Sequence, residues 1–378
     1  MSNEEPTSLI VSFQDVPDPR VKGRCDHKLI DIIVIAVCAV IAGAETWVDV
    51  ESFGKAKEAW LRTFLELPAG IPSHDTFGRV FAALDAEAFQ RSFMRWVEGV
   101  FRVSKGQIIA IDGKTLRRSH DRTMGKEAIH MVNAWATQNG IALGQWKTDT
   151  QSNEITAIPP LLRQLNVAGC IVTLDAMGAQ TQIAQTIRDE KADYVLRIKA
   201  NQGRLHQDIE DWFAHADQVH FADMAHSYSK TVNKGHGRIE VRRCWALSDP
   251  LAFEYIRNYQ GWADLHTIVR VHRERRLKGQ TQTETAYYIS SLPADAELLL
   301  MATRYHWAVE NSLHWVLDVI FREDEARIRI GHAAQNMAIL HQFALNILKK
   351  DASKGSLRTK RYKAALDISF LEQLLDQV

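Results

Sequence analysis

No charge of either sign predominates in this 378-residue chain: Lys plus Arg and Asp plus Glu each total 46. That balance excludes a uniformly basic surface, so any contact with a polyanion has to come from local clusters. Cysteine is scarce. Cys25, Cys38, Cys170 and Cys244 stand far apart, which excludes zinc-finger and disulfide-framework spacings and fits a reducing cytosol. Long hydrophobic runs are missing too. The longest, IIVIAVCAVIAGA at 32–44, has thirteen residues, whereas a membrane-spanning helix needs about 20. It reads as a buried helix. MSNEEPTS at the start is acidic and polar, unlike a signal peptide, so a cytoplasmic protein without membrane contact is expected. There is no internal repeat and no low-complexity segment. With 46% hydrophobic and 24% charged residues, the chain has the composition and length for two or three folded domains.

What is present changes character along the chain. Residues 1–22 form a polar, flexible lead-in. Residues 23–100 form a helical domain, with helices over Leu29–Ala44, Trp47–Phe53, Lys55–Phe64 and Ala86–Val100, and another in SHDTFGRVFAALD capped by Ser73 or Asp75. LPAGIPS is a turn. From 105 to 200 the pattern alternates. IIAID is a strand ending at Asp112. IHMVNAWAT and IALGQWKT form a hairpin across Asn139-Gly140. EITAIPPLLRQL leads into a helix with Pro159 and Pro160 in its first turn. IVTLD is a strand ending at Asp175, and TQIAQTIRDEK and ADYVLRIKA add a helix and a strand. Three antiparallel strands followed by parallel crossovers predict a mixed α/β sheet covered by helices. Residues 201–292 read as a β-rich insertion completed by an edge of the core sheet, residues 293–350 as a helical return to the core and residues 351–378 as a tail.

Two apolar strands that each end in Asp place carboxylates where ligands gather in such sheets. Hard oxygen ligands there suit Mg²⁺ or Mn²⁺, and a pair of ions about 4 Å apart can drive phosphodiester displacement. A third carboxylate is needed. Glu310, in RYHWAVENSLHWV, is the candidate, since a charge among apolar helical residues is costly unless it is paired or bound to metal. Strand-end Asp residues often only begin turns, and mid-helix Glu residues are usually exposed, so position alone does not select Glu310.

Longer motifs do. GIPSHDTFGRVF at 70–81, IAIDGKTLRRS at 109–119, VNAWA at 132–136, SNEITAIPPLL at 152–162, TLDAMGAQ at 173–180, DYVLRIKANQ at 193–202, GHGRIEVR at 235–242 and HWAVENSLHWVLDVIFREDEARIR at 306–329 occur in this order. Together they resemble the insertion-sequence transposases with a DDE catalytic triad, in the group that includes the H-repeat-associated proteins. The resemblance covers about residues 15–350. It implies an RNase H-like core with the β-rich insertion ahead of the Glu-bearing helix. It also implies catalytic, metal-holding residues Asp112, Asp175 and Glu310, with Mg²⁺ (or Mn²⁺), two ions per site. The chain departs from the Y-x2-R-x3-E-x6-K pattern of related enzymes: Thr303, His306, Glu310 and Leu317 fall on those positions. His306 and His314, one turn either side of Glu310, are candidates for phosphate contact, and Asn311 and Asp318 for support of the site.

DNA contacts are expected from Lys114, Arg117 and Arg118 beside Asp112, and from Arg322, Arg327 and Arg329 after the Glu310 helix. Arg270, Arg273, Arg275 and Arg276 on the insertion fit either DNA or a solvated surface. Trp245 or Trp262 is a candidate to hold a flipped base. His236 has no Cys or His partner at ligand spacing, which argues against structural zinc. The implied chemistry is metal-dependent cleavage at the element ends and transfer of the 3′-OH into target DNA. The implied partners are terminal inverted repeats and target duplex, bound by a homodimer, with the N-terminal helices recognising the ends or aiding assembly and no small-molecule cofactor. A nuclease without strand transfer and an inactive DNA-binding relic remain open.

Overall fold

The computed structural model describes residues 9–101, 103–120, 127–148, 154–235, 237–278 and 280–377; His236 lies outside them. The strands are β1 (Ile108–Leu116), β2 (Ile129–Ala136), β3 (Ile141–Lys147), β4 (Ile171–Leu174), β5 (Asp193–Ile198), β6 (His226–Gly235), β7 (Arg238–Leu247), β8 (Thr267–Leu277) and β9 (Gln280–Ser290). They form one nine-stranded sheet in the order β3-β2-β1-β4-β5-β9-β8-β7-β6. β1, β2 and β3 pair antiparallel, and β4 and β5 add in parallel to β1. The helices Glu154–Gln164 and Thr181–Asp189 carry the crossovers that parallel pairing requires. This is the RNase H-like arrangement.

The β-rich segment after β5 joins the edge of the core sheet. β9 pairs antiparallel with β5, so β6 to β9 continue the core sheet as a meander. β6 carries no sequence signal because it is an edge strand, HSYSKTVNKG, with no fully buried residue. Two readings are corrected. β1 runs past Asp112 to Leu116 because GKTL keeps pairing with Ile129–Val132 of β2. Pro159 and Pro160 lie inside the helix Glu154–Gln164 rather than in its first turn, which removes two intrahelical donors.

The helix Leu29–Ile41 is buried along 31–41, as its nearly all-round apolar sequence predicts. The helix Ala333–Lys350 is buried nearly throughout. The helices Leu29–Ile41, His74–Ala83 and Ala86–Val100 pack on it, so N-terminal and C-terminal helices share one core with the sheet. Caps set their ends. Thr46 and Asp49 form a capping box, Ser73 accepts from the Thr76 amide and Asp85 from the Ala88 amide. Ser356 caps a further helix, Leu357–Leu366. Among the described residues no helix is long and apolar enough to cross a membrane.

One glycine ties the N-terminal helices to the core. Gly331 has φ +52°, and a Cβ there would lie 2.2 Å from the Ala82 carbonyl oxygen. That carbonyl accepts from the His332 amide at 2.9 Å, and the Asn336 amide side chain binds the Phe81 and Leu84 carbonyls. Since the obstacle is backbone, Gly331→Ala should cost about 1–3 kcal/mol by overpacking. Guanidinium titration checks this as a lower midpoint at unchanged slope.

Candidate active site

Asp112 and Asp175 are brought together by strand register. Ile111 of β1 pairs with Leu174 of β4, so the next residue on each strand is a carboxylate. Asp175 is held in a local turn: its Oδ1 accepts from the Met177 and Gly178 amides at 3.0 and 3.2 Å. The third element crosses the same face of the sheet. The apolar stretch after Ala294 is not one continuous helix. The helix Ala296–His306 gives way at Trp307, and Glu310–His314 winds as a π-helical turn before the helix Trp315–Val319. Such turns concentrate at functional sites. Lys349 steadies this one by donating to the Ser312 carbonyl at 3.3 Å, and its ammonium lies 4.4 Å from the Trp135 ring centre.

The π-helical turn places Glu310 and His314 over Asp112. His314 Nδ1 lies 3.2 Å from Glu310 Oε2 and 3.6 Å from Asp112 Oδ2. One ligand atom from each of Asp112, Glu310 and His314 falls within 4.8 Å of the others, a candidate site for a single cation. Asp175 flanks this cluster without being part of it. Burial pushes the Asp112 carboxyl up to about 7, and the negative charges of Glu154, Asp175 and Glu310 add to the rise. Burial lowers the His314 pKa against the pull of Glu310, which favours the neutral ring. A neutral imidazole can donate from Nδ1 to Glu310 or offer that lone pair to a cation. Two carboxylates whose charges repel, joined by a neutral imidazole, are a donor set that a divalent cation fits.

Several residues singled out from the sequence take other places. Lys114 does not face outward for DNA. It is 7% exposed, and its ammonium is 2.7 Å from Asp318 Oδ1 and paired with Glu323. Glu323 Oε1 in turn meets His341 Nδ1 at 3.1 Å. Burial would raise the Glu323 carboxyl, but Lys114 and His341 outweigh it and hold it at about 2. Lys114 of β1 thus bridges Asp318 and Glu323. His306 is buried too. Its Nδ1 is 3.1 Å from Thr173 Oγ1, and burial lowers it to about 4 against the attraction of Asp175; it is a neutral support for β4 with no exposed face for phosphate. Asn311 is exposed.

The arginines lie at the surface around the site. Arg117 is exposed and pairs with Asp324 at 3.1 Å. Arg118 and Arg327 are exposed. Arg329 donates to the Arg118 carbonyl, and Arg322 pairs with Glu45 and Glu325. On the insertion, Arg270 binds Asp217 and lies 4.3 Å from the Trp245 ring centre, and Arg276 pairs with Glu274. Trp262 is buried at 7% exposure, which leaves it no face for a flipped base.

Glu154 was missed. Glu154 Oε1 meets His130 Nε2 at 2.7 Å, and His130 Nδ1 meets Thr115 Oγ1 at 2.8 Å. A Cβ on Gly113 would lie 2.0 Å from Glu154 Oε1, so the glycine beside Asp112 is what lets this carboxylate close on β1. The available signal was the acidic residue inside the SNEITAIPPLL motif.

Comparison with known proteins agrees with this geometry. Residues 103–347 match the family model described as "Transposase DDE domain", and residues 10–97 match the model "DDE_Tnp_1-associated". "Putative transposase YncI" of Escherichia coli O157:H7 is 41% identical over 97% of this chain and 94% of its own. "H repeat-associated putative transposase YhhI" of Escherichia coli K12 is 38% identical over 97% of each chain. Among solved structures, a piggyBac transposase synaptic complex with hairpin DNA aligns with 92% of this chain and 73% of that one, at 11% identity and a TM-score of 0.43.

Proposed function

This chain belongs to the transposase DDE domain family, and from that premise we propose that it cuts the ends of a mobile DNA element and joins them to target DNA. The observation that carries the reading is the convergence of Asp112, Glu310 and His314 at the strand ends of an RNase H-like sheet, with Asp175 alongside. Asp112, Asp175 and Glu310 are the catalytic residues, and with His314 they would hold two Mg²⁺, for which Mn²⁺ can substitute. When bound, such ions polarise the scissile phosphodiester and lower the pKa of the attacking water.

The protein's own part is positioning. Asp175, fixed by two backbone donors, keeps one carboxylate oriented beside Asp112. The buried Lys114–Glu323 pair fixes the chain after Glu310 against β1. Arg117, Arg118, Arg322, Arg327 and Arg329 would hold DNA phosphates around the site. Water oxygen bonds to phosphorus, the P–O3′ bond breaks, and the 3′ oxygen takes the proton. That 3′-OH then attacks a target phosphodiester and releases a target 3′-OH. Two ends must be joined, so a homodimer on terminal inverted repeats is the working assembly. The N-terminal helices would recognise the repeats, and the reaction would run in the bacterial cytoplasm at the nucleoid.

The test is a cleavage and strand-transfer assay on the flanking repeats with Mg²⁺, comparing the native chain with Glu310→Gln. Both reactions should vanish in the variant. Cleavage without joining would make the protein a nuclease. DNA binding without either reaction would make it a relic.

A further inference from the structure

Beside the helix Ala296–His306, on the sheet face that carries Asp112, lies a second polar site. Arg197 of β5, Arg242 of β7 and Arg273 of β8 meet Arg304 and Trp307 around a cavity of about 80 Å³, whereas one water needs about 10–15 Å³. The carboxylates that pair there are Glu284, with Arg197 and Arg273, and Glu240, with Arg242 and Arg273. Four guanidinium groups thus line the cavity, and the ion pairs of the two carboxylates engage Arg197, Arg242 and Arg273. Arg242 and Arg197 have side chains only 15% and 12% exposed. Even so, Arg242 Nη1 and Arg197 Nε are buried without a hydrogen-bond partner. Burial lowers the Arg242 pKa, and Arg304 and Arg273 lower it further against the pull of Glu240. Unsatisfied buried donors and uncompensated like charge are costly, and both costs are removed by an anion. Trp307 is 51% exposed, with the Arg197 guanidinium 5.4 Å from its ring centre.

We infer that Arg197, Arg242, Arg273 and Arg304 form a pocket for a phosphate of the DNA strand being cut. The assignment of that occupant rests on the proposed transposase activity. Forked guanidinium donors suit phosphate oxygens, and Arg304 precedes Glu310 by six residues, roughly 9 Å of helix. A strand leaving the carboxylate site across this face would therefore set a phosphate in the pocket within a few nucleotides of the scissile one. None of the four carries any step of the chemistry; they are positioning residues.

The test uses the full chain. Binding of a fluorescent duplex is measured against salt for the native protein, Arg242→Gln, the more exposed Arg304→Gln and a distant control, the exposed Arg358→Gln on the helix Leu357–Leu366. Melting is measured in inorganic phosphate against chloride at equal ionic strength. Each pocket variant should flatten the salt slope by about 0.9, one phosphate contact, and lose the phosphate-dependent rise in melting temperature. The control should do neither. Unchanged slope and melting in Arg304→Gln overturn the pocket, as does an equal loss in Arg358→Gln. A native chain that does not bind duplex, yet shows a phosphate-dependent rise that both pocket variants lose, keeps the anion site and sinks the DNA reading.

Discussion

Asp112→Asn is expected to abolish cleavage while making the metal-free protein more stable at pH 8. Loss of activity follows from the role proposed for the carboxylate. Several kcal/mol of transition-state stabilisation come from metal held at such a site, equivalent to a rate loss of about 10³-fold or more. The gain in stability follows from the strain that Asp112 carries. Burial and the charges of Glu154, Asp175 and Glu310 raise its pKa from 3.8 to about 7. A group whose folded pKa is raised contributes stability that is complete below its unfolded value and lost as pH rises through the folded one. The metal-free native protein should therefore weaken between about pH 4 and about pH 7, by at most about 4 kcal/mol at 1.36 kcal/mol per pKa unit. Asparagine, which carries no charge, escapes that loss. In EDTA the variant should melt above the native chain at pH 8, and the gap should close towards pH 4. Mg²⁺ should raise native melting at pH 8 far more than at pH 5, because the bound ion competes with the proton, and should leave the variant nearly unmoved. A variant that melts below the native chain at pH 8 in EDTA, or that responds equally to Mg²⁺, would remove Asp112 from the metal site.

How far the sequence could be read depended on whether a local pattern survived its tertiary setting. β1 and β4 were legible because buried strands need apolar runs, and each run stops at its Asp. The Asn139-Gly140 hairpin was legible because Gly140 takes φ +68°, a conformation that turn chemistry announces. Lys114 was misread as a DNA contact because the strand was ended at Asp112. Once β1 continues, strand alternation puts residue 114 on the same face as residue 112, beneath the helix Trp315–Val319 and its following turn. The interruption at Trp307 and the π-helical turn at Glu310–His314 leave no mark in an apolar periodicity that suits a plain helix equally well. Glu154 was invisible as a site residue because its closeness to Asp112 depends on Gly113, across a strand and far along the chain. The carboxylates came from strand ends and family motifs; the residues that hold them in place came only from packing.

Those supporting residues set the last expectation: Glu323→Gln should cost about 3–5 kcal/mol, the loss typical when one partner of a buried pair is removed. Lys114 is 7% exposed and Glu323 6%, so either alone would leave an uncompensated charge. Lys114→Met should cost as much, since Glu323 would keep only His341. The double variant Lys114→Met with Glu323→Gln should recover much of the loss, because replacing both charges together removes the desolvation penalty as well as the attraction. A double-mutant cycle by guanidinium titration measures this. Additive losses in the double variant would mean that the two side chains act separately. The acid side adds an independent check. Glu323 is depressed from 4.5 to about 2, so its stabilisation is present above pH 4.5 and lost as pH falls towards 2. Glu323→Gln should therefore flatten the native protein's loss of stability over that interval, opposite in sign to the effect of Asp112 at higher pH. Because the pair joins β1 to the segment after Glu310, single variants that still fold should lower cleavage, while the repaired double variant should regain it.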